Sequence, residues 1–246
     1  MNIIFVRHGD PNYEIDSLTE KGFREAALLA KRVAKWQVTD FYSSPLGRAK
    51  DTGRIATEPL GRTMEVLPFM QEFYYLVDDP KELGKKRHPW DFMPSWWTSQ
   101  EKLFETEGWT LDETMKSGDI KEKFEMVKTG LDEVIARYGY KREGMNYRTE
   151  KGSDATIVIF CHLGVQFVAL NHLLHIPAPL LWQSAFVAPT SVTVVTTEER
   201  EEGIAAFRLR MLGDTSHLYA GNEPASNSGF FEEVYGEFEK NRRFSF

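Results

Sequence analysis

The sequence predicts an α/β protein with three layers, in which helices cover both faces of a mostly parallel central sheet. Short apolar runs rich in β-branched residues alternate along the chain with longer segments of helical periodicity. Several of these runs are apolar throughout, as strands buried on both faces are. With 246 residues, the chain is long enough for one large domain with a sizeable core. We therefore expect a single domain over residues 1–246.

The first elements follow in order from the start of the chain. Residues 2–6 form an apolar run that predicts a buried strand, with a loop that begins at Arg7. The segment "LTEKGFREAALLAKRVAKW" predicts a helix with Thr19 as its N-cap and an apolar face made of Phe23, Ala26, Ala27, Ala30, Val33 and Ala34. This helix is expected to pack on the sheet.

A second strand and helix lie in "DFYSSPLGRAKDTGRIA". The strand is predicted to end at Tyr42, after which Ser44 is the N-cap and Pro45 the first helical residue. Arg48 would then lie in the first turn of this helix. "MEVLPF" is a third strand candidate, and "DATIVIFCHLG" predicts the most apolar strand of the chain, which leads directly into a cysteine and a histidine.

The later elements are a helix in "VQFVALNHLLHI", two last strands in "SVTVVTT" and "AAFRLRML" that suit a hairpin, and a short terminal helix in "GFFEEVYGEFEKNRRF". Residues 78–150 break the alternation and predict a mainly helical, cap-like insertion. Its helical segment carries an apolar face of Ile120, Phe124, Val127, Leu131 and Val134. The aromatic group of His88, Trp90, Trp96 and Trp97 either shapes a lid over a substrate or forms a small core within the insertion.

Composition limits the class of protein and its partners. The formal net charge of -7 argues against nucleic acid as a partner, because a phosphate backbone requires a basic surface. No apolar run approaches the length of a membrane span, and the start lacks the pattern of a signal peptide. A single cysteine, Cys161, fits a reducing compartment. We expect a soluble cytoplasmic protein, without a membrane or nucleic-acid partner; the sequence predicts no particular oligomeric state.

Reactive side chains follow three of the apolar runs. Arg7 and His8 come after the first, Arg48 lies in the helix after the second, and His162 follows the last. In open α/β sheets ligands bind at the carboxyl ends of the strands, so we expect these side chains to converge. Two histidines, two arginines and a helix N-terminus suit a dianionic phosphoryl group, which guanidinium groups and free amides bind well.

These motifs resemble a known family. "RHG" after the first strand, "SSPLGRAKDT" downstream, a glutamate after the third strand, a histidine after a late strand and "GDTSHL" near the end are similar to the histidine phosphatase superfamily, the phosphoglycerate mutase-like branch 1. The resemblance covers roughly residues 1 to 75 and 153 to 218 and leaves out the insertion. It implies the phosphoglycerate mutase-like fold.

The resemblance also implies roles for five residues. His8 would be the nucleophile that forms a phosphohistidine, while Arg7 and Arg48 bind the phosphoryl oxygens. His162 would hydrogen-bond the phosphoryl group on its other side, and Glu72 would protonate the leaving oxygen. The residues themselves agree, because neighbouring positive charges keep a histidine neutral and nucleophilic.

Two positions depart from the family pattern or leave alternatives open. The family commonly has glycine directly after the second histidine, whereas this chain has Leu163, whose amide can still face a phosphate, followed by Gly164. The proton donor is expected to be Glu72, in competition with the neighbouring acids Glu65, Asp78 and Asp79.

Other candidates receive structural interpretations. Cys161 is not the nucleophile of a thiol phosphatase, because the arginine that such a loop requires is replaced by Phe167. His172 and His175 lack a third ligand at metal-binding spacing, and His217 is expected to be structural. Walker and aspartyl-phosphatase motifs are absent from the sequence.

Three functions are open at this stage. The first is a metal-independent phosphomonoesterase without a cofactor, acting through phosphohistidine on a small phosphorylated metabolite. The second is a phosphoglycerate mutase-type phosphoryl transfer, although "RHGDPNYEIDS" differs from the R-H-G-E-S pattern of the family's mutases. The third is a catalytically silent phosphoryl-binding module.

Overall fold

A computed structural model of the chain describes residues 1–231. The strands within that range are β1 (Asn2–Arg7), β2 (Pro11–Asn12), β3 (Ser17–Leu18), β4 (Asp40–Ser43), β5 (Glu65–Val66), β6 (Val77–Asp78), β7 (Lys86–Arg87), β8 (Lys141–Glu143), β9 (Asn146–Arg148), β10 (Thr156–Cys161), β11 (Val192–Glu201) and β12 (Ile204–Asp214).

The α-helices of the same range are α1 (Glu20–Val33), α2 (Gly47–Thr57), α3 (Pro94–Trp97), α4 (Glu113–Lys116), α5 (Ile120–Ala136), α6 (Leu163–Leu174), α7 (Ala178–Ser184) and α8 (Ser216–Ala220). Short 3₁₀ helices cover Glu58–Leu60, Pro68–Met70, Glu101–Phe104 and Gly108–Leu111. None of the helices in residues 1–231 has both the length and the apolar composition that crossing a membrane requires. Most of the predicted terminal helix lies outside the described residues.

One large sheet of eight strands forms the centre, in the order β5-β4-β10-β1-β11-β12-β9-β8. Strands β5, β4, β10 and β1 are parallel to one another. The pair of β1 and β11, and every later pair in this order, is antiparallel. The predicted α/β fold and the predicted hairpin of β11 and β12 are therefore confirmed. The carboxyl ends of the parallel strands lie together at one edge, where ligands of such sheets bind.

Side chains of β1 divide between two cores because successive residues of a strand point to opposite faces. Ile3 and Phe5 pack in one core with residues of α5 and α6, whereas Ile4 and Val6 pack in the other. The second core includes Leu29 of α1 and Ala56 of α2. Helices thus cover both faces of the sheet, and the three predicted layers are present.

Helix α1 begins as predicted but turns a different face to the sheet. Thr19 caps it by accepting a hydrogen bond from the Gly22 amide, at 3.0 Å. Phe23 was expected inside and is 42% exposed, while Glu25 is fully buried. The Glu25 carboxylate accepts a hydrogen bond from the Asp10 amide at 2.8 Å, and burial raises the pKa of this carboxyl to about 7. The buried face of α1 was not predictable from apolar residues alone, because the carboxyl group of Glu25 is part of it.

The region predicted as an insertion joins the body of the protein closely. Its buried aromatic side chains, among them Phe92, Trp109 and Phe124, belong to the same core as residues of the sheet, so they do not form a separate small core. The polar segment at its end forms β8 and β9, and β9 pairs with β12 at Ile204 and Ala205. The region therefore extends the central sheet as well as covering one of its faces.

Candidate active site

The backbone of the central sheet brings the predicted site residues together. Strands β1 and β10 are parallel, with Arg7 opposite Cys161. Beyond the last pair, the His8 amide donates to the Cys161 carbonyl at 2.9 Å. On the other side of β10, the Ser44 amide donates to the Phe160 carbonyl at 2.8 Å. The loops after β1, β4 and β10 therefore meet, as the sequence predicts.

His8 has the protonation state that a nucleophile needs. Its ring is 2% exposed, and burial together with the charges of Arg7 and Arg48 holds its pKa well below the usual value. Nδ1 lies 2.7 Å from the Gly9 carbonyl, which can only accept, so Nδ1 carries the hydrogen. The lone pair of the neutral ring is consequently on Nε2, which is left available for attack on phosphorus.

His162 lies beside His8, with 5.1 Å between the ring centroids. Its Nε2 is 2.7 Å from the Ser44 hydroxyl, and that hydroxyl accepts a hydrogen bond from the Leu46 amide at 3.2 Å. With the Ser44 hydroxyl assigned as the donor to Nε2, the hydrogen of a neutral His162 lies on Nδ1. Burial and the neighbouring His8, Arg48 and Arg7 hold the pKa of His162 well below its usual value.

Arg7 ends β1, and Arg48 is the second residue of α2; both are buried. Arg48 donates to the Asp16 carboxylate at 2.6 Å. The Nε of Arg7, the Nε of Arg48 and the Nδ1 of His162 are buried and have no hydrogen-bond partner within residues 1–231. Unpaired buried donors are costly unless a ligand satisfies them, so this cluster fits a group rich in acceptor oxygens.

The start of α2 differs from the prediction. Ser44 and Pro45 do not cap this helix, which begins two residues later at Gly47. The Asp16 carboxylate takes the place of the cap by accepting from the Gly47 amide at 2.6 Å, and a Cβ on Gly47 would lie 2.0 Å from the Asp16 carbonyl oxygen. Ser44 instead orients His162. Sequence rules could not find Asp16, because it is 31 residues from the amide that it caps.

Glu72 follows the 3₁₀ helix Pro68–Met70 and reaches the N-terminus of α6. Its carboxylate accepts hydrogen bonds from the Gly164 amide at 3.3 Å and the Val165 amide at 3.0 Å, where a helix favours negative charge. The competing acids form ion pairs elsewhere in the described structure: Glu65 with Arg137, Asp78 with Lys86, and Asp79 with Arg87. Of the four acids, Glu72 is therefore the one placed beside His162.

Trp90 of the insertion also lies close to the N-terminus of α6. A Cβ on Gly164 would lie 2.7 Å from Glu72 Oε1 and 2.8 Å from Trp90 Cζ3, so only glycine allows both groups to approach. His88 stacks on Trp90 with 4.8 Å between centroids. Trp90 packs against the main core and approaches Gly164, so the separate small core is not formed, and a lid over a substrate stays a prediction. The predicted contact of the Leu163 amide with phosphate stays a prediction.

The other reactive side chains lie outside this cluster or are inert. Cys161 is buried, and burial raises the pKa of its thiol. His172 bonds Asp132 at 2.8 Å, and His217 bonds Thr190 at 3.1 Å, with the pKa of His217 lowered to about 4 by burial and by Arg32. Nowhere in residues 1–231 do three or more His, Cys, Asp or Glu side chains form a group that could hold a metal ion.

The chain also matches a known sequence family. The sequence model of the histidine phosphatase superfamily, branch 1, matches residues 3–209. The probable phosphoglycerate mutase GpmB of Yersinia pestis (strain Pestoides F) is 36% identical over 81 residues, which cover 29% of this chain and 38% of that protein. The alignment with this relative thus spans little more than a third of its length.

Solved structures share the fold. A phosphoserine phosphatase from Entamoeba histolytica, a mutant in complex with phosphoserine, has a TM-score of 0.57 at 15% identity and covers 88% of this chain and 98% of its own. The α-ribazole phosphatase from Shigella flexneri has a TM-score of 0.56 at 17% identity, covering 87% of this chain and 97% of its own. A mycobacterial glucosyl-3-phosphoglycerate phosphatase has a TM-score of 0.57 at 17% identity, covering 86% and 98%.

Proposed function

The chain belongs to the histidine phosphatase superfamily, branch 1, and on that premise we propose that it is a metal-independent phosphomonoesterase that acts through a phosphohistidine. One observation carries the proposal. A neutral, buried His8 with a free Nε2 lies beside three unpaired N–H donors, those of Arg7, Arg48 and His162. Such a cluster binds a phosphoryl group and holds it next to a nucleophile.

The reaction has two steps. The Nε2 lone pair of His8 attacks phosphorus, the bond to the ester oxygen breaks, and Glu72, which must be protonated at this step, gives its proton to the departing alcohol. Water then attacks the phosphohistidine, Glu72 accepts its proton, and inorganic phosphate leaves while the electron pair of the P–N bond returns to His8. Arg7, Arg48 and His162 stabilise the charge on the phosphoryl oxygens in both steps.

Hydrolysis is favoured over the mutase reaction by two observations. The segment after "RHG" reads "DPNYE", which differs from the pattern of the family's mutases. The relative named a probable mutase aligns over 29% of this chain, whereas structures named phosphatases match 86% to 88% of it. The proposed substrate is a small phosphorylated metabolite; one of the similar structures contains phosphoserine and another 3-phosphoglyceric acid. A cytoplasmic location stays a prediction.

The test is phosphate release from a panel of phosphomonoesters at about pH 4 to 8, with EDTA present and with His8→Ala in parallel. We expect turnover that EDTA does not affect and that falls at least about 1,000-fold in His8→Ala. Retention of turnover by His8→Ala would exclude the phosphohistidine. Efficient interconversion of 3- and 2-phosphoglycerate with little free phosphate would favour the mutase instead.

A further inference from the structure

The last described residues return to the active site from the far end of the sequence. We call residues 226–231 the C-terminal strap. Just before it, Glu223 accepts hydrogen bonds from Lys21 at 3.0 Å and from Arg24 at 2.9 Å, which attach this part of the chain to α1. The Ser226 hydroxyl then bonds the carboxylate of Asp10, two residues after His8. The strap is thereby fixed to the loop that carries the nucleophile.

The strap contacts Arg7 directly. Arg7 donates through Nη2 to the Ser228 carbonyl at 2.7 Å and through Nη1 to the Val187 carbonyl at 2.7 Å. Phe186 lies 5.6 Å from the guanidinium carbon, and Phe230 packs edge-on against Phe186 at 5.0 Å. A guanidinium has more N–H groups than these two bonds use, and its buried Nε is unpaired within the described chain. The two carbonyls therefore set the plane of Arg7 and leave donors for a ligand.

Gly229 allows the strap to lie close to the Arg7 guanidinium, for two separate reasons. Its φ of +83° is a conformation that other residues adopt only with strain, and a Cβ at this position would lie 2.8 Å from Arg7 Nη2. A side chain at 229 would thus push the strap away from the guanidinium.

We propose that the C-terminal strap is a positioning element of the active site, in which the Ser228 carbonyl holds Arg7 in the orientation that binds the phosphoryl group. The inference rests on the proposed function, since it assigns Arg7 to phosphate binding. Bidentate recognition by arginine depends on the orientation of the guanidinium plane, so a free Arg7 would bind phosphate less well.

Gly229→Ala tests the proposal, with Gly84→Ala as a matched control. Gly84 has a φ of +80°, and a Cβ there would meet nothing within 4 Å, so both variants carry the same backbone strain but only one disturbs Arg7. The measurement is the affinity for inorganic phosphate, taken from the phosphate-dependent rise in Tm. We expect Gly229→Ala to weaken phosphate binding about tenfold and Gly84→Ala to bind as the wild type does.

The same measurement in an Arg7→Ala background shows whether the strap acts through Arg7. If it does, Gly229→Ala causes no further loss there, because the effects of residues that act as one unit are not additive. Equal loss in both backgrounds, or no loss in either, would overturn the proposal. Phe230→Ala loosens the same strap without backbone strain and must show the same non-additivity. A wild-type protein that bound no phosphate would refute the proposed function itself.

Discussion

The two ends of helix α6 each carry a buried histidine near a carboxylate and an arginine, but within residues 1–231 only one end has buried donors without partners. At the N-terminus, His162 faces His8, and three donors around them are unpaired. At the C-terminus, His172 bonds Asp132, Tyr147 donates to Asp132 at 2.6 Å, and Arg142 donates to Tyr147 at 2.8 Å. No buried side-chain nitrogen or oxygen of this second group lacks a partner within the described structure.

Unpaired buried donors, and not the volume of a cavity, distinguish the proposed site from the other end of α6. A cavity of about 620 Å³ lies at the C-terminal end and is lined by Lys128, Asp132, Arg142, His172 and His175 among others. Its charged groups of both signs satisfy one another, so they stabilise the structure and leave no buried donors or acceptors for a ligand. At the proposed phosphate-binding end, by contrast, the buried Nε atoms of Arg7 and Arg48 and the buried Nδ1 of His162 have no hydrogen-bond partner within residues 1–231.

Among the substitutions that compare the two ends of α6, Glu72→Gln is expected to have the largest effect on activity. The amide keeps the size of the side chain but cannot give up a proton, so kcat should fall about 100- to 10,000-fold. The loss should be larger for alkyl than for p-nitrophenyl phosphate, whose leaving group needs less protonation. Glu65→Gln is the control, because Glu65 pairs with Arg137 at the surface. Equal losses in the two variants would remove Glu72 from its proposed role.

The two histidines of α6 can be compared directly. His162→Ala removes a donor to the phosphoryl group and should lower kcat/KM about 10- to 100-fold. His172→Ala leaves Asp132 and Arg142 partly unpaired, so it should lower the free energy of unfolding by about 1 to 3 kcal/mol and change kcat/KM less than about twofold. Steady-state kinetics and urea unfolding measure the two quantities. A large kinetic effect of His172→Ala would show that the ends are coupled.

The smallest expected difference is in the pH at which the buried histidines become protonated. The pKa of His172 is lowered by burial but raised in part by the Asp132 carboxylate, whereas the charged groups that act on His8 and His162 all lower the pKa values of those rings. In an NMR titration towards acid, His172 should therefore protonate before His8 and His162. Because the unfolded rings have a pKa of about 6.5, all three contribute stability above that pH that is lost as the pH falls below it. A His8 signal that titrates near pH 6.5 would contradict its neutral role.

Much of this arrangement was predictable from local patterns. Apolar runs located β1, β4 and β10, and the residues that follow them met as the rule for parallel sheets requires. What escaped prediction depends on contacts between distant segments. Asp16 caps α2 from another loop, Trp90 contacts Gly164 from the insertion, and Ser228 reaches Arg7 across 221 residues. No periodicity or spacing in the sequence encodes such pairs.

The register of β1 and β10, in which Arg7 is opposite Cys161, also bears on how core mutations would affect folding and the geometry of the site. The separation of His8 and His162 is set by the backbone ladder of β1 and β10, which forms with the sheet as a whole. We therefore expect a substitution deep in the core to lower the fraction of folded molecules without changing the spacing of His8 and His162 in the molecules that fold. A bound ligand or a lower temperature would then restore the fraction of folded protein in such a variant.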